Sequence, residues 1–148
     1  VEPIITIDQE GGRVSRLRYI GQEPPNAQQL REKGDRKLIK QHGRLTGQVL
    51  RLFGINLDLC PVLDISYDDN ADNSLKGRCY GRDSQEVVNN AGVFNRAMRG
   101  AGVVSEHKCR SASRTTRTGF APAGQSATAR SSVNVDCETK CVVVGAYD

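Results

Sequence analysis

Between Val1 and Ser105 the sequence alternates short apolar runs with stretches whose apolar residues recur every three or four positions. The first run, Ile4-Ile5-Thr6-Ile7, is β-branched throughout, which favours a buried strand. Strand patterns that alternate with helix patterns are typical of repeated βα units around a parallel sheet. The pattern therefore predicts an α/β fold for this part of the chain.

The first helix pattern follows a loop marked by Pro24-Pro25, because proline fixes φ and disfavours helix in the residue before it. Beyond it, apolar residues three or four positions apart form one stripe that a sheet should cover: Leu38, His42, Leu45, Val49 and Leu52. Gly54 can adopt the left-handed conformation that ends many helices. We therefore expect a helix up to about this glycine, with the stripe buried.

A second βα unit follows. The run from Ile55 to Ile65 predicts a strand that ends near Asp64, and a polar loop then extends to about Arg82. Asp83 and Glu86 have the spacing of an N-terminal cap. The buried stripe of the next helix is then Val87, Ala91, Phe94 and Met98, and Gly100 precedes a third strand that begins with Val103-Val104-Ser105.

Beyond Ser105 this organisation fails. From residue 106 to 132 the only large apolar residue is Phe120, and Val142-Val143-Val144 near the end is too short to build a core. We therefore divide the chain into a segment of residues 1–105 and a tail of residues 106–148 that we expect to be irregular or disordered. Domains usually join in exposed linkers. An abrupt change of amino-acid composition in the middle of a strand therefore favours a frameshift or a truncated gene as the origin of the tail.

Charge and cysteine usage exclude several classes of function. The 21 basic and 17 acidic residues give a net charge of +4, but they are scattered and do not form the patch that nucleic acid requires. No apolar stretch is long enough to span a bilayer. The five cysteines lack the spacing of a disulfide scaffold, which favours a reducing, cytoplasmic compartment. We expect a soluble protein with no membrane or nucleic-acid partner.

Metal and cofactor sites are not predicted either. The segment from Asp68 to Asn73 begins like a calcium loop, but Asn73 stands at the position of the loop glycine and Cys79 at that of the final glutamate. The pairs His107 with Cys109 and Cys137 with Cys141 lack the four clear ligands of a zinc site. We expect no metal and no cofactor.

Polar residues at the predicted strand ends are the candidate functional groups, because sites on parallel barrels lie at the carboxyl ends of the strands. Asp8 closes the first strand and leads into Gly11-Gly12, Asp64 closes the second, and Arg78 lies in the loop beyond it. The two glycines allow a ligand to approach the backbone closely, although they also suit a tight turn that Asp8 would cap.

Four ordered segments resemble the β-N-acetylhexosaminidases of glycoside hydrolase family 3. The segment from Asp8 to Arg16 is similar to the DQEGGRVxR signature, Gly54-Ile55-Asn56 to GIN, and the segment from Pro61 to Ile65 to APVLDV. The segment from Gly77 to Asp83 is similar to IGxRSFGxDP. The resemblance covers residues 1–105 and implies part of a TIM (β/α) barrel, since a complete barrel has roughly 250 residues and this chain has 148.

The resemblance implies a carbohydrate site. Asp8 would accept hydrogen bonds from sugar hydroxyls, and Arg16 and Arg78 would donate to the same ring. Asp64 belongs to the same set, either in contact with the sugar or holding the loops in place. Ion-pair or surface roles are the alternative for the two arginines.

The resemblance also implies where the sequence departs from the family. After the segment Ala101 to Ser105 the family continues with KHFPGHG, a His-Asp acid/base dyad and an Asp nucleophile, whereas this chain has Glu106-His107-Lys108 and no later match. The reversed order of His107 and Lys108 should turn their side chains to the wrong faces of the strand. We therefore assign no catalytic residue, although the intact family releases terminal β-linked N-acetylhexosamine with retention.

Three functions remain open: a fragment of such a hydrolase, a non-catalytic polypeptide that keeps at most a carbohydrate-binding surface, and a β-glucosidase-type relative. An incomplete barrel also exposes strand edges and apolar surface. We therefore expect low solubility and self-association.

Overall fold

The computed structural model describes residues 3–108, together with the backbone of residues 133–136 and 141–144. The elements in chain order are β1 (Thr6–Ile7), α1 (Ala27–Glu32), α2 (Arg36–Leu52), β2 (Leu57–Asp58), α3 (Ser84–Gly100), β3 (Val104–Ser105), β4 (Val133–Asp136) and β5 (Cys141–Val144). The first three strands form a parallel sheet in the order β1-β2-β3. The predicted α/β alternation is thus confirmed for this part of the chain.

Strand β1 is shorter and more exposed than predicted. Only Thr6 and Ile7 are in the strand, and 76% of Ile4 is exposed. Within the described residues β1 has one neighbour, β2, so its other edge is uncovered. The prediction of a strand is confirmed for Thr6 and Ile7, but the predicted burial of residues 4–7 is wrong, because Thr6 is exposed and Ile7 only partly buried. A β-branched sequence indicates a preference for burial and not the presence of a partner.

Helix α2 ends close to Gly54, as predicted, but buries a different face. Leu38, Leu45 and Leu52 of the predicted stripe are exposed, and the buried residues of the helix are Ile39, His42, Gly43, Gly47 and Leu50. The reason is the close approach of α3: a Cβ on Gly43 would lie 2.5 Å from the carbonyl oxygen of Phe94. Helix α2 therefore turns its two small residues to α3 and leaves the leucines outside.

Helix α3 follows the prediction closely. Asp83 caps it by accepting a hydrogen bond from the Glu86 backbone N–H at 2.8 Å. The predicted stripe is buried throughout: Val87, Ala91, Phe94 and Met98. Together with Leu50 of α2 and Val103 before β3, these residues form the centre of the core.

The second predicted strand ends earlier than expected. Strand β2 stops at Asp58, and Val62 then pairs in an isolated parallel bridge with Lys108. Pro61 has no N–H to donate, which interrupts the ladder between these positions. The peptide bond between Cys60 and Pro61 is cis.

Beyond residue 108 the tail contains one described element pair. Strands β4 and β5 are antiparallel, with Val133 opposite Val144 and Asp136 opposite Cys141. These eight residues differ from the expected irregular tail, since their backbones pair as a two-stranded ladder. The rest of that expectation, and with it the division of the chain at residue 105, falls largely outside the described residues.

Candidate functional site

The three parallel strands end at one edge of the sheet, and a charged residue lies at or just beyond each end. Asp8 directly follows β1, Asp58 ends β2, and Lys108 lies three residues beyond β3. The Lys108 Nζ forms an ion pair with Asp8 Oδ1 and lies 3.4 Å from Glu10 Oε1. The parallel bridge between Lys108 and Val62 fixes the backbone from which this lysine projects.

Glu10 and Arg78 form a bidentate ion pair beside Asp8. Arg78 Nε donates to Glu10 Oε2 and Arg78 Nη2 to Glu10 Oε1, both at 2.7 Å, while Arg78 Nη1 donates to the Ser74 carbonyl at 3.0 Å. The hydrogen bond to Glu10 raises the pKa of Arg78 above its ordinary value. Asp8, Glu10, Arg78 and Lys108 are called the strand-end cluster below.

Arg16 lies at the outer side of this cluster. Its Nη2 is 3.8 Å from Asp8 Oδ2, and 62% of its side chain is exposed. A guanidinium at that distance and exposure is free to reorient. Of the two predicted arginines, Arg16 is thus the more accessible and Arg78 the more firmly held.

Gln9 shapes the loop between Asp8 and Arg16. Its side-chain Oε1 accepts hydrogen bonds from the backbone N–H of Arg16 at 2.8 Å and of Leu17 at 3.2 Å, and its Nε2 donates to Ser15 Oγ at 2.9 Å. Gly12 has φ +53 in this loop, and a Cβ there would lie 2.7 Å from Asn26 Cβ. The double glycine therefore serves the tight turn, whereas Gln9 closes the loop.

Asp58 lies beneath this loop and is fully buried. Its Oδ1 accepts a hydrogen bond from the Gln9 backbone N–H at 2.9 Å, and its Oδ2 lies 3.4 Å from the Cys60 thiol, which donates to it. Burial raises the pKa of Asp58 to about 7, and the Gln9 hydrogen bond opposes that rise.

Asp64, which lies six residues beyond β2, is buried. Burial, followed by the negative charge of Asp64, raises the pKa of the Cys79 thiol to about 11. Asp64 is therefore close to the loop that carries Arg78, and its position favours a part in holding that loop. Asp64 also has polar interactions of its own.

A second ion network fixes the loop between β2 and α3. Asp69 accepts hydrogen bonds from Arg31 of α1 at 2.6 Å, from Arg82 Nε at 2.7 Å and from Ser66 Oγ at 2.7 Å. The Arg31 hydrogen bond is the largest of the causes that hold the pKa of Asp69 well below its usual range. Both ends of the loop that carries Arg78 are therefore tied to α1.

Within the described part of the chain, no group of three or more His, Cys, Asp or Glu side chains is arranged to hold a metal ion, including the segment from Asp68 to Asn73. None of the described helices is long and apolar enough to cross a bilayer.

Glu10, Asp58 and Lys108 were not among the predicted site residues. Glu10 was visible as a carboxylate two residues from Asp8, and Asp58 as a charged residue within an apolar strand. The expectation for Lys108 was wrong, because its Nζ lies at Asp8 and Glu10, while His107 Nε2 lies 2.9 Å from Asn95 Nδ2. Strand alternation places neighbours on opposite faces, and the register that β3 adopts assigns Lys108 to the cluster.

The strand-end cluster can bind a ligand that both donates and accepts hydrogen bonds. Two carboxylates accept from hydroxyl groups, and an ammonium with a guanidinium donates to hydroxyl or carbonyl oxygens. The groups neutralise one another in pairs, so the site is polar without a large net charge. Fold and site together define a parallel α/β protein with a polar site at its strand ends.

Sequence comparison identifies the family. The sequence model described as the glycosyl hydrolase family 3 N-terminal domain matches residues 2–118, and the chain belongs to this family. Beta-hexosaminidase LpqI of Mycobacterium tuberculosis is 36% identical over 101 residues, which are 68% of this chain and 26% of LpqI. A beta-hexosaminidase of Vibrio cholerae is 32% identical over 106 residues, which are 71% of this chain and 31% of that protein.

Structural comparison agrees. The family 3 β-N-acetylglucosaminidase from Paenibacillus sp. FPU-7 superposes with a TM-score of 0.68 and 32% identity, over 75% of this chain and 21% of that one. The chain thus spans about a quarter to a third of the curated relatives it matches.

Proposed function

We propose that this chain supplies the sugar-binding part of a family 3 hydrolase that releases terminal β-linked N-acetylhexosamine from O-glycosides with retention. The observation that carries the proposal is the strand-end cluster, in which Asp8 and Lys108 meet at the carboxyl edge of a parallel sheet. Family membership and the activity of the relatives, which are named β-hexosaminidases and β-N-acetylglucosaminidases, support this class of substrate.

In this proposal, the three parallel strands and the helices that connect them form one arc of a TIM barrel. Parallel strands joined by helices, with polar groups at their carboxyl ends, support that arrangement. The uncovered edge of β1 and the exposed leucines of α2 are where neighbouring barrel units would pack.

Asp8 is the principal acceptor for sugar hydroxyls. Its Oδ1 is paired with Lys108, and its Oδ2 faces the exposed Arg16 guanidinium at 3.8 Å. A sugar hydroxyl can replace the long Arg16 contact at little cost, because an exposed ion pair at that distance contributes little. Arg16 and Lys108 then donate to neighbouring oxygens of the same ring.

Arg78 and Asp64 act from the side of the loop. Three of the five Arg78 N–H donors are used by Glu10 and Ser74, which leaves two for a ligand. Asp64, buried near Cys79, keeps that loop in place. We assign neither nucleophile nor acid/base to residues 3–108, so this part of the chain binds the sugar without cleaving its bond.

The test is a titration of the 148-residue chain with N-acetylglucosamine, followed by amide chemical shifts. We expect millimolar or tighter binding, with the largest shifts in residues 8–17 and near Arg78. Asp8→Asn should weaken binding by about tenfold, as expected for the loss of a charge-assisted hydrogen bond.

Asp72→Asn is the matched control, because it makes the same chemical change at a side chain that is 94% exposed and outside the cluster. Equal effects of the two substitutions, or no binding by the wild-type chain, would contradict the proposal. Tighter binding of glucose than of N-acetylglucosamine would indicate a β-glucosidase-type site instead.

A further inference from the structure

Asp58 touches none of the groups that would meet a ligand, yet it is bonded to the residue between the two carboxylates of the strand-end cluster. Gln9 lies between Asp8 and Glu10, and its backbone N–H donates to Asp58 Oδ1 at 2.9 Å. The Cys60 thiol lies 3.6 Å from the Gln9 carbonyl oxygen and 3.4 Å from Asp58 Oδ2. The pair therefore contacts both the N–H and the carbonyl of Gln9 from below.

The sheet gives this pair a fixed base. The Leu59 N–H donates to the Ile7 carbonyl at 2.8 Å, and the Glu106 N–H donates to the Asp58 carbonyl at 2.9 Å. The backbone of Asp58 is thus hydrogen-bonded within the sheet, whereas Gln9 already belongs to a loop. Asp58 therefore anchors that loop to the sheet: its backbone is bonded within the sheet, and its side chain is bonded to Gln9.

The side chain of Gln9 also holds the later part of the loop. Its side-chain Oε1 accepts from the backbone N–H of Arg16 and Leu17, so the same residue also fixes the return of the loop. A rotation of the Gln9 peptide would displace its two neighbours, Asp8 and Glu10, and would strain the bonds of Gln9 to Arg16 and Leu17. Because Glu10 holds Arg78 through two bonds of 2.7 Å, that displacement would reach the far side of the cluster.

We infer that Asp58, supported by the Cys60 thiol, is a positioning residue that sets the spacing of Asp8 and Glu10 for the sugar. This inference rests on the proposed function only for the identity of the ligand. The hydrogen bond from Gln9 needs an acceptor oxygen and not a negative charge. Asn at position 58 should therefore preserve the positioning, and Ala should abolish it.

The experiment compares the wild-type chain with Asp58→Asn, Asp58→Ala and Met98→Ala. Met98 is fully buried in α3 and is not a member of the strand-end cluster, so its truncation lowers stability without a change at the strand ends. Two quantities are measured: the dissociation constant for N-acetylglucosamine, and the ¹H–¹⁵N chemical shift of the Arg78 Nε–H, which reports the bond to Glu10 without any ligand.

We expect Asp58→Ala to move the Arg78 Nε–H signal and to weaken sugar binding by about tenfold, as expected for the loss of a buried hydrogen bond. Asp58→Asn and Met98→Ala should keep both quantities close to wild type. If Asp58→Ala leaves both unchanged, or if Met98→Ala reproduces its effects, the inference is wrong.

Two further results keep the outcomes distinct. If the wild-type chain does not bind the sugar, the proposed function fails, but the Arg78 signal still decides the role of Asp58. If Asp58→Ala does not fold, the pair Cys60→Ala and Cys60→Ser decides it, because serine retains a donor for Asp58 and Gln9. The inference then requires that only Cys60→Ala move the Arg78 signal, and equal signals in the two variants overturn it.

Discussion

Helices α2 and α3 have the same length of 17 residues and similar apolar periodicity, but they are packed differently. Helix α3 buries its whole predicted stripe, whereas α2 leaves Leu38, Leu45 and Leu52 exposed and turns Gly43 and Gly47 to its neighbour. Periodicity thus identifies residues that prefer burial, but the close approach of two helices selects the face with the smallest residues. Within the described residues, nothing buries Leu38, Leu45 and Leu52.

The largest expected difference between the two helices concerns their big apolar side chains. Phe94 of α3 is fully buried, whereas 84% of Leu52 of α2 is exposed. Phe94→Ala should lower the free energy of unfolding by about 3–5 kcal/mol, and Leu52→Ala should change it by less than about 0.5 kcal/mol. Urea denaturation measures both, and similar losses would remove the contrast.

His42 places a titratable group in the contact between the helices. Its ring centroid is 5.5 Å from that of Phe94, and burial lowers its pKa to about 4. The folded state therefore binds fewer protons than the unfolded state, whose histidine pKa is about 6.5. Stability that is present above pH 6.5 should be lost as the pH falls towards 4, by up to about 3 kcal/mol.

His42→Phe should flatten this part of the stability profile while it preserves the ring contact with Phe94. Asp58 acts in the opposite direction. Its raised pKa of about 7 lets the folded state bind the proton more tightly than the unfolded state, so this contribution to stability is lost as the pH rises from about 4 to about 7. The two contributions are separated by denaturation of His42→Phe and Asp58→Asn at pH 4.5, 5.5 and 6.5. An unchanged slope in His42→Phe would show that His42 is accessible to water.

The glycines that decide the helix packing can be tested directly. A Cβ at Gly43 would lie 2.5 Å from the Phe94 carbonyl oxygen, so Gly43→Ala should destabilise the chain by about 1–3 kcal/mol. Gly100→Ala is the matched control, because nothing lies within 4 Å of its Cβ position. That substitution should be neutral or stabilising by up to about 1 kcal/mol. Thermal unfolding compares them.

Substitutions on the exposed face of α2 should have the smallest effect, and that effect should be on self-association of the chain. We expect the chain to self-associate through its exposed leucines, and replacing Leu45 and Leu52 together by Gln should weaken association about fivefold. Lys40→Gln is the control on an exposed position of the same helix. Sedimentation velocity over a concentration series provides the measurement, and a wild-type chain that stays monomeric throughout would contradict the expectation.

The local signals in the sequence were sufficient for much of the fold. The cap at Asp83, the left-handed Gly54 and the stripe of α3 depend on neighbours within a few residues, and the structure has all three. Burial of Ile4 and of the α2 leucines depends on surfaces that the described residues do not supply. Propensity and periodicity contain no information about those surfaces.

The candidate site shows the same limit. Asp8 and Arg78 are recognisable because they lie in motifs, and the structure brings both into one cluster through Glu10 and Lys108. The bond between residues 10 and 78, and the arrival of residue 108 beside them, depend on sheet order and register. The roles of Arg16, Asp64 and the strand-end cluster in binding a sugar stay predictions.

The network of Arg31, Asp69 and Arg82 has a consequence for the thermodynamics of recognition. Because these bonds tie the loop from β2 to α3 against α1, the loop loses its conformational entropy when the chain folds and not when a ligand arrives. Binding at Arg78 is therefore expected to proceed on a preorganised surface, with little change in loop order. A heat capacity change on binding close to that of the buried sugar surface alone would be its calorimetric signature.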